Sequence, residues 1–316
     1  MSDSVASLRS PPAASAAGPL WLGYSLALLI TCVWTGWILV SRFGVNQTLT
    51  VFDVTALRWG VGGTLVLPLA LYWGLRGVRP LQALVLLICF GPPYALIFYV
   101  GFQHAPAAHG GVLVNGLLPF ITLVIGAALL GDRASRSRLF GIGLILLGSL
   151  CIGGDGLLLA PPGTWIGDLL FLATATLLGC YMLAVRAWNV GPQQVLAIVL
   201  VGGMLLYMPF YLLLPVPSTL QSLPIADWPW DEVLLQGGYQ GLMVSLVGVT
   251  CFTLATRILG SSVMAAFMAG VPAFAMLAAW PILAERPSIL ALTGGLVVTG
   301  GILFASGLLP WRSGRG

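Results

Sequence analysis

The sequence predicts an all-α integral membrane protein, with ten transmembrane helices arranged as two inverted five-helix repeats. Three observations carry that expectation. Only 7% of the 316 residues are charged while 59% are hydrophobic, whereas a soluble domain keeps roughly a quarter of its residues charged. About ten apolar stretches of near-spanning length, almost free of charge, follow one another between Leu20 and Leu309. The two halves of the chain also align with each other.

A stretch of roughly 20 apolar residues crosses the hydrocarbon core as a helix. Spans are expected at 20–41, 53–74, 81–103, 108–130, 138–155, 165–186, 193–214, 233–256, 261–283 and 288–309. Long apolar runs favour helices over barrel strands, which alternate over about ten residues. Residues 1–18, rich in Ser, Ala and Pro with Arg9 their only basic residue, read as a disordered cytoplasmic tail. The apolar run that follows is too long for a signal-peptide core. The first repeat is expected over 19–158 and the second over 163–310, together one transmembrane domain with no segment long enough for a soluble one.

Orientation follows from the arginines beside the spans. With the N-terminus inside, Arg9, Arg76, Arg79, Arg133, Arg136, Arg138, Arg186, Arg257, Arg312 and Arg315 fall on the inner side, and only Arg42 and Arg286 outside. The outer loops collect Asp155, Asp227, Asp231, Glu232 and Glu285. Both termini are therefore expected in the cytoplasm, with the protein in the cell inner membrane. A net charge of +4, with the arginines dispersed singly or in small groups, gives no footprint for nucleic acid. The partners expected are the lipid bilayer and a small-molecule substrate, and a monomer suffices. The five cysteines all fall inside spans and lack metal-ligand spacing, so neither a disulfide framework nor a metal site is expected.

A shift of 153 residues places Pro119 on Pro272, Asp132 on Glu285, Arg133 on Arg286, Ser135 on Ser288, Gly141 on Gly294 and Gly148 on Gly301. A shift of 144 places Gly23 on Gly167 and Arg42 on Arg186. The offsets differ because the second half carries a longer loop, from Pro215 to Asp231. Five spans per half is an odd number, so the halves enter the membrane in opposite directions. Inverted repeats recur in secondary transporters, with the substrate site near the midplane between the halves.

Pro119 through Gly131-Asp132-Arg133 to Gly141, echoed by Pro272 through Ala284-Glu285-Arg286 to Gly294, resembles the EamA-type branch of the drug/metabolite transporter superfamily. So do Trp34, Gly36 and Ser41-Arg42-Phe43-Gly44 in the first span, and Leu57-Arg58-Trp59 in the second. The resemblance covers nearly the whole chain. It implies a ten-helix exporter or exchanger of small metabolites, often amino acids. Asp132 departs from the glutamate usual in the family, and the second half has no counterpart of Arg58.

Charges inside a span are expensive and tend to be functional. Arg58, about 9 Å into its helix, is a candidate for a substrate carboxylate; the alternatives are snorkelling to headgroups or pairing with Asp53. Asp53 and Asp168 read as helix N-terminal charges. No carboxylate is expected in the middle third of any span, which argues against an intramembrane proton relay unless His104, Arg58 or end-of-helix acids take part. His104 and His109 are read in the outer loop after the third span.

Gly91-Pro92-Pro93-Tyr94 should break the third span, because two prolines remove backbone donors. A break at membrane depth is tolerated where protein or cavity water satisfies the freed carbonyls, making Tyr94 and Tyr99 candidate lining residues. Asn115 is either a helix–helix contact or a substrate contact. Gln236 and Gln240, four apart with Tyr239 beside them, should turn inward, since amides facing lipid are costly. Trp34, Trp37 and Tyr181 are candidate aromatic walls. Pro92, Pro93, Pro119 and Pro272 are candidate hinges.

Together these features favour a secondary transporter that exports or exchanges a small organic metabolite, such as an amino acid, by alternating access. Multidrug or organic-cation efflux is the alternative within transport, and a channel or scaffold is the alternative outside it. No nucleophile–base pair, P-loop or metal-ligand spacing is visible, so neither enzyme activity nor a cofactor is expected.

Overall fold

The computed structural model describes residues 19–74, 77–130, 135–259 and 261–306. The N-terminal tail, the Asp132–Arg133 pair, and Arg76, Arg312 and Arg315 lie outside the described residues. Among those described there is no strand, and the chain is a bundle of helices. Its outer surface is apolar: Leu71, Leu150, Leu213 and Ile289 are each at least 73% exposed. Water would penalise such a surface, whereas lipid tails do not.

The chain opens with α1 (Leu20–Gly44) and α2 (Val51–Trp73). Helix α2 begins in a capping box, with Thr50 Oγ1 accepting from Asp53 N and Asp53 Oδ2 accepting from Thr50 N. The third apolar stretch is interrupted as the sequence suggests, into α3 (Pro80–Phe90) and α4 (Pro92–His104). Pro92 and Pro93 open α4, where missing N–H groups cost nothing. At the break, a Cβ on Gly91 would strike the carbonyl oxygen of Leu87.

The fourth stretch divides at Leu117 into α5 (Ala107–Gly116) and α6 (Leu118–Leu130). Pro119, in the first turn of α6, has no N–H for the Asn115 carbonyl. Helices α7 (Arg136–Leu158) and α8 (Thr164–Ala187) follow. Next come α9 (Pro192–Leu196), a π-helical segment π1 (Ala197–Gly202), α10 (Gly203–Leu213) and the short α11 (Thr219–Ser222). Then α12 (Trp230–Gln236) runs through a second π segment, π2 (Gly237–Gly248), into α13 (Val249–Leu259). The chain closes with α14 (Ser261–Leu283) and α15 (Ile289–Ala305). Pro272 lies inside α14, which is unbroken there, unlike the interruption beside its repeat partner Pro119.

Among the described residues, eight helical stretches are long and apolar enough to cross a membrane, and two shorter apolar ones, Gly270–Leu283 and Ile289–Ala305, accompany them. The loops after α1, α4, α7, α10 and α14 meet at one end of the bundle. There Glu232 accepts from Thr48 N and Leu49 N, at 3.1 and 3.2 Å, and Thr50 Oγ1 donates to Pro217 O. Arg42 Nε pairs with Glu285 Oε1 at 2.6 Å, and Glu285 Oε2 accepts from Ala107 N. Because Asp53, Asp155, Asp168, Glu232 and Glu285 gather here, we call it the acidic end.

Two packing seams repeat across the halves. Helices α7 and α15 cross antiparallel with Gly141 against Gly301 and Gly148 against Gly294; a Cβ on Gly148 would lie 2.5 Å from Gly294 O. Each glycine thus packs on the repeat equivalent of the other. Likewise, a Cβ on Gly23 would lie 2.7 Å from Ile258 Cγ2, and one on Gly167 2.5 Å from the Ala105 Cβ. Ile258 stands 153 residues after Ala105. Equivalent serines cap α7 and α15, with Ser135 accepting from Arg138 N and Ser288 from Ala291 N.

Candidate functional site

Arg58 is the polar centre of the bundle. It stands on the eighth residue of α2, about 10 Å along the axis at 1.5 Å per residue, and is only 4% exposed. Its guanidinium lies over the rings of Trp59 at 4.5 Å and Trp37 at 5.1 Å, the arrangement that attracts a cation to an aromatic face. Nη1 reaches Tyr99 Oη at 3.4 Å, a long contact, and Nε has no acceptor.

The two alternatives for this arginine fail on geometry. It does not snorkel, because it is buried. Asp53 does not pair with it, because that carboxylate accepts from Thr50 N, Tyr211 Oη, Ser218 Oγ and Thr219 N. Among the described residues, no carboxylate forms an ion pair with Arg58.

The surroundings are rich in unmet donors. Trp37 Nε1, Trp59 Nε1, Tyr94 Oη and Arg58 Nε are all buried without a partner. An unpaired buried donor costs about 1–3 kcal/mol, and more when charged, so a cluster of four would gain from an acceptor. Phe98, fully buried, organises the group: it stacks on Trp37 at 4.8 Å and on Tyr94 at 6.2 Å, and meets Tyr99 at 6.0 Å. Trp59 and Phe98 were not among the sequence candidates. Trp59 adjoins Arg58 in the chain, a signal that was available, whereas Phe98 is one of many apolar aromatics.

The structure therefore brings Trp37, Arg58, Tyr94 and Tyr99 together. Tyr181 joins them at a distance, stacked on Phe90 at 4.5 Å, with Phe90 5.1 Å from Tyr94. Trp34 stacks on Phe252 at 5.5 Å and packs against the edge of the same core. Asn115 is half-buried and donates to Gly111 O one turn back. Gln236, Tyr239 and Gln240 turn inward as expected, but their donors bind α1. Gln236 Nε2 donates to Val40 O, Tyr239 Oη to Val33 O, and Gln240 Nε2 to Ser41 Oγ. These bonds tie α12 and π2 to α1.

Both π segments flank the Arg58 helix. Gly241 of π2 meets Val61 and Gly62, while Leu200 of π1 meets Gly62 and Gly63. π-helical turns are rare and are frequent at functional sites. Two hollows of about 380 and 390 Å³ are present, one between the start of α2 and α4, the other between α2, α3 and π1. Neither is lined by Trp37, Arg58, Tyr94 or Tyr99, and with Arg58, Trp59, Tyr94 and Tyr99 all buried the cluster is closed around Arg58 in this conformation.

Two placements correct the sequence reading. Neither histidine is in a loop: His104 is the last residue of α4, and His109 is the third residue of α5 and 1% exposed. A helix starts directly after Pro106, so the loop is only Ala105 and Pro106. Asp168 is correspondingly more than an N-terminal charge, because it hydrogen-bonds His109.

The long apolar helices and lipid-like surface define a multi-pass membrane protein. The model of the EamA-like transporter family matches the chain twice, over residues 21–154 and 165–307, and the chain belongs to that family. It is thus a membrane transporter of the drug/metabolite type, from a family of transporters rather than enzymes. Thirteen chains of solved structures match it. One, a crystal structure, aligns over 90% of this chain and 96% of its own at 20% identity and a TM-score of 0.58, a likeness of fold alone. No curated protein sequence matches.

Proposed function

We propose that this chain is a secondary transporter that exports or exchanges a small organic metabolite bearing a carboxylate, an amino acid being the simplest case, by alternating access. The observation that carries this reading is the buried guanidinium of Arg58, with four unmet donors in and around it. A carboxylate accepts two such bonds in one plane from arginine, and Trp37, Tyr94 and Tyr99 would contact the rest of the solute. A cationic solute is disfavoured, because Arg58 already occupies the aromatic faces.

In this reading ten spans form two inverted halves, residues 19–158 and 163–310. The crossed glycine pairs and the equivalent serine caps support it. Two equivalent halves can exchange conformations, giving two access states of similar energy. The interruptions at Pro92-Pro93 and before Pro119 serve as flexing points, with Pro272 their quieter counterpart. Both termini lie in the cytoplasm and the protein in the inner membrane, as the arginine asymmetry suggests.

Comparing metabolites in spent medium from deletion and overexpressing strains tests the substrate class. Carboxylate-bearing solutes should rise with expression; a rise confined to organic cations would favour the multidrug alternative. Unchanged media throughout would remove the export reading.

A further inference from the structure

A second polar cluster, unused by the Arg58 site, lies buried at the acidic end. His109 Nδ1 is 2.8 Å from Asp168 Oδ1 on α8, and Nε2 is 3.2 Å from Asp155 Oδ2 on α7. Ser288, the cap of α15, donates its hydroxyl to Asp155 Oδ1. The other oxygen of Asp168, Oδ2, is buried without a partner. Asp155 and Asp168 are 5% and 9% exposed.

The hydrogen count constrains this cluster. A neutral imidazole carries one N–H, yet both ring nitrogens face carboxylate oxygens. The three side chains must therefore share two protons, and because imidazole is a stronger base than a carboxylate both sit on the ring, as an imidazolium between two carboxylates. Removing one proton leaves a nitrogen lone pair against an oxygen lone pair in a dry site, which is strongly unfavourable.

Other charged groups do not offset the two carboxylates. Helix α5 packs against α1, α4, α6, α7, α8, α14 and α15. Helices α6, α14 and α15 carry no charged residue. Arg42 of α1 is engaged with Glu285, which also accepts from Ala107 N. His104 ends α4 and is exposed, while Arg136 and Arg138 of α7 and Arg186 of α8 stand toward the opposite ends of their helices. The proton on the triad is thus its main countercharge.

The four residues also join the two halves, with His109 and Asp155 from the first and Asp168 and Ser288 from the second. We propose that His109, Asp155 and Asp168 form a proton-binding site that holds the acidic end shut when loaded and releases it when empty. On the transporter reading, which this inference rests on for its place in a cycle, a proton gradient enters transport here. In the unloading step one N–H bond of His109 breaks and its proton passes to water as the end opens. The triad goes from a net charge of −1 to −2, and the loss of the bridge frees α5 from α7 or α8.

The chain has two histidines, so His104→Gln leaves one imidazole for nitrogen-15 resonance in phosphatidylglycerol-containing nanodiscs. At neutral pH both ring nitrogens of His109 should be protonated, and only one in the Asp155→Asn/Asp168→Asn variant. Amide exchange of segments 104–110 and 155–168, corrected for intrinsic rates, should rise about tenfold or more from mildly acidic to alkaline pH. That rise should vanish in His109→Gln and, as a second variant, in Asp168→Asn. A singly protonated His109 ring at mildly acidic pH with both carboxylates intact, or equal pH response in wild type and both variants, overturns the proposal. Neither readout uses a transported solute. Failure here leaves the transporter reading standing, and a chain that moves no solute leaves the proton site to be judged by itself.

Discussion

At the scale of the residue, Arg58 and the inward amides make opposite predictions. Arg58→Gln removes a charge that has no carboxylate partner among the described residues. Solute binding should weaken at least about tenfold, the size of one charge-assisted hydrogen bond of about 1.5–3 kcal/mol. Thermal stability should hold or rise, because an unpaired buried charge is costly. Gln236→Leu should do the reverse. It loses the bond donated to Val40 O and the one accepted from Gln240 Nε2, each worth about 0.6 kcal/mol within a membrane bundle, so the melting temperature falls slightly while solute preference stays. Transport assays beside thermal unfolding in detergent separate the two. Arg58 was legible in the sequence as a charge inside a span. The role of the amides was not, since inward direction follows from their polarity but the acceptors on α1 depend on packing. His109 was misplaced because a residue three positions after Pro106 reads equally well as loop or as first helical turn.

At the scale of the element, the glycine seam between α7 and α15 admits no side chain. Gly148→Leu would put a Cβ 2.5 Å from Gly294 O and should cost about 1–3 kcal/mol as the helices separate, read as a lower melting temperature. Gly143→Leu, where a Cβ would meet nothing within 4 Å, is the control and should be nearly silent. The Arg42–Glu285 pair and the Ala107 N–H tie the loop after α14 to the end of α1 and the start of α5. Glu285→Ala should therefore raise amide exchange in residues 102–108 without altering that of α6. The break at Gly91-Pro92-Pro93 was legible because proline chemistry acts locally. The π segments were not. They coincide with the close approach of Gly241 to Val61 and of Leu200 to Gly63, tertiary contacts with no local signature.

At the scale of the whole molecule, composition and apolar run length fixed the class of fold, because lipid tolerates only backbones that satisfy themselves. The internal repeat was legible too, and the crossed packing of Gly141 and Gly148 on Gly301 and Gly294 gives it a physical meaning. The closed packing around Arg58 was not legible, since a transporter sequence encodes more than one conformation and its polarity pattern does not say which is adopted. A reporter fused to each terminus should locate both on the cytoplasmic face; ends on opposite faces would contradict two five-span halves.

The most direct measurement is counterflow of a carbon-14-labelled amino-acid mixture into proteoliposomes preloaded with the unlabelled mixture. The wild-type chain should accumulate label transiently, and Arg58→Gln, at equal reconstituted amount, should lose at least about nine tenths of it. Equal counterflow by the two proteins would contradict a carboxylate site at Arg58.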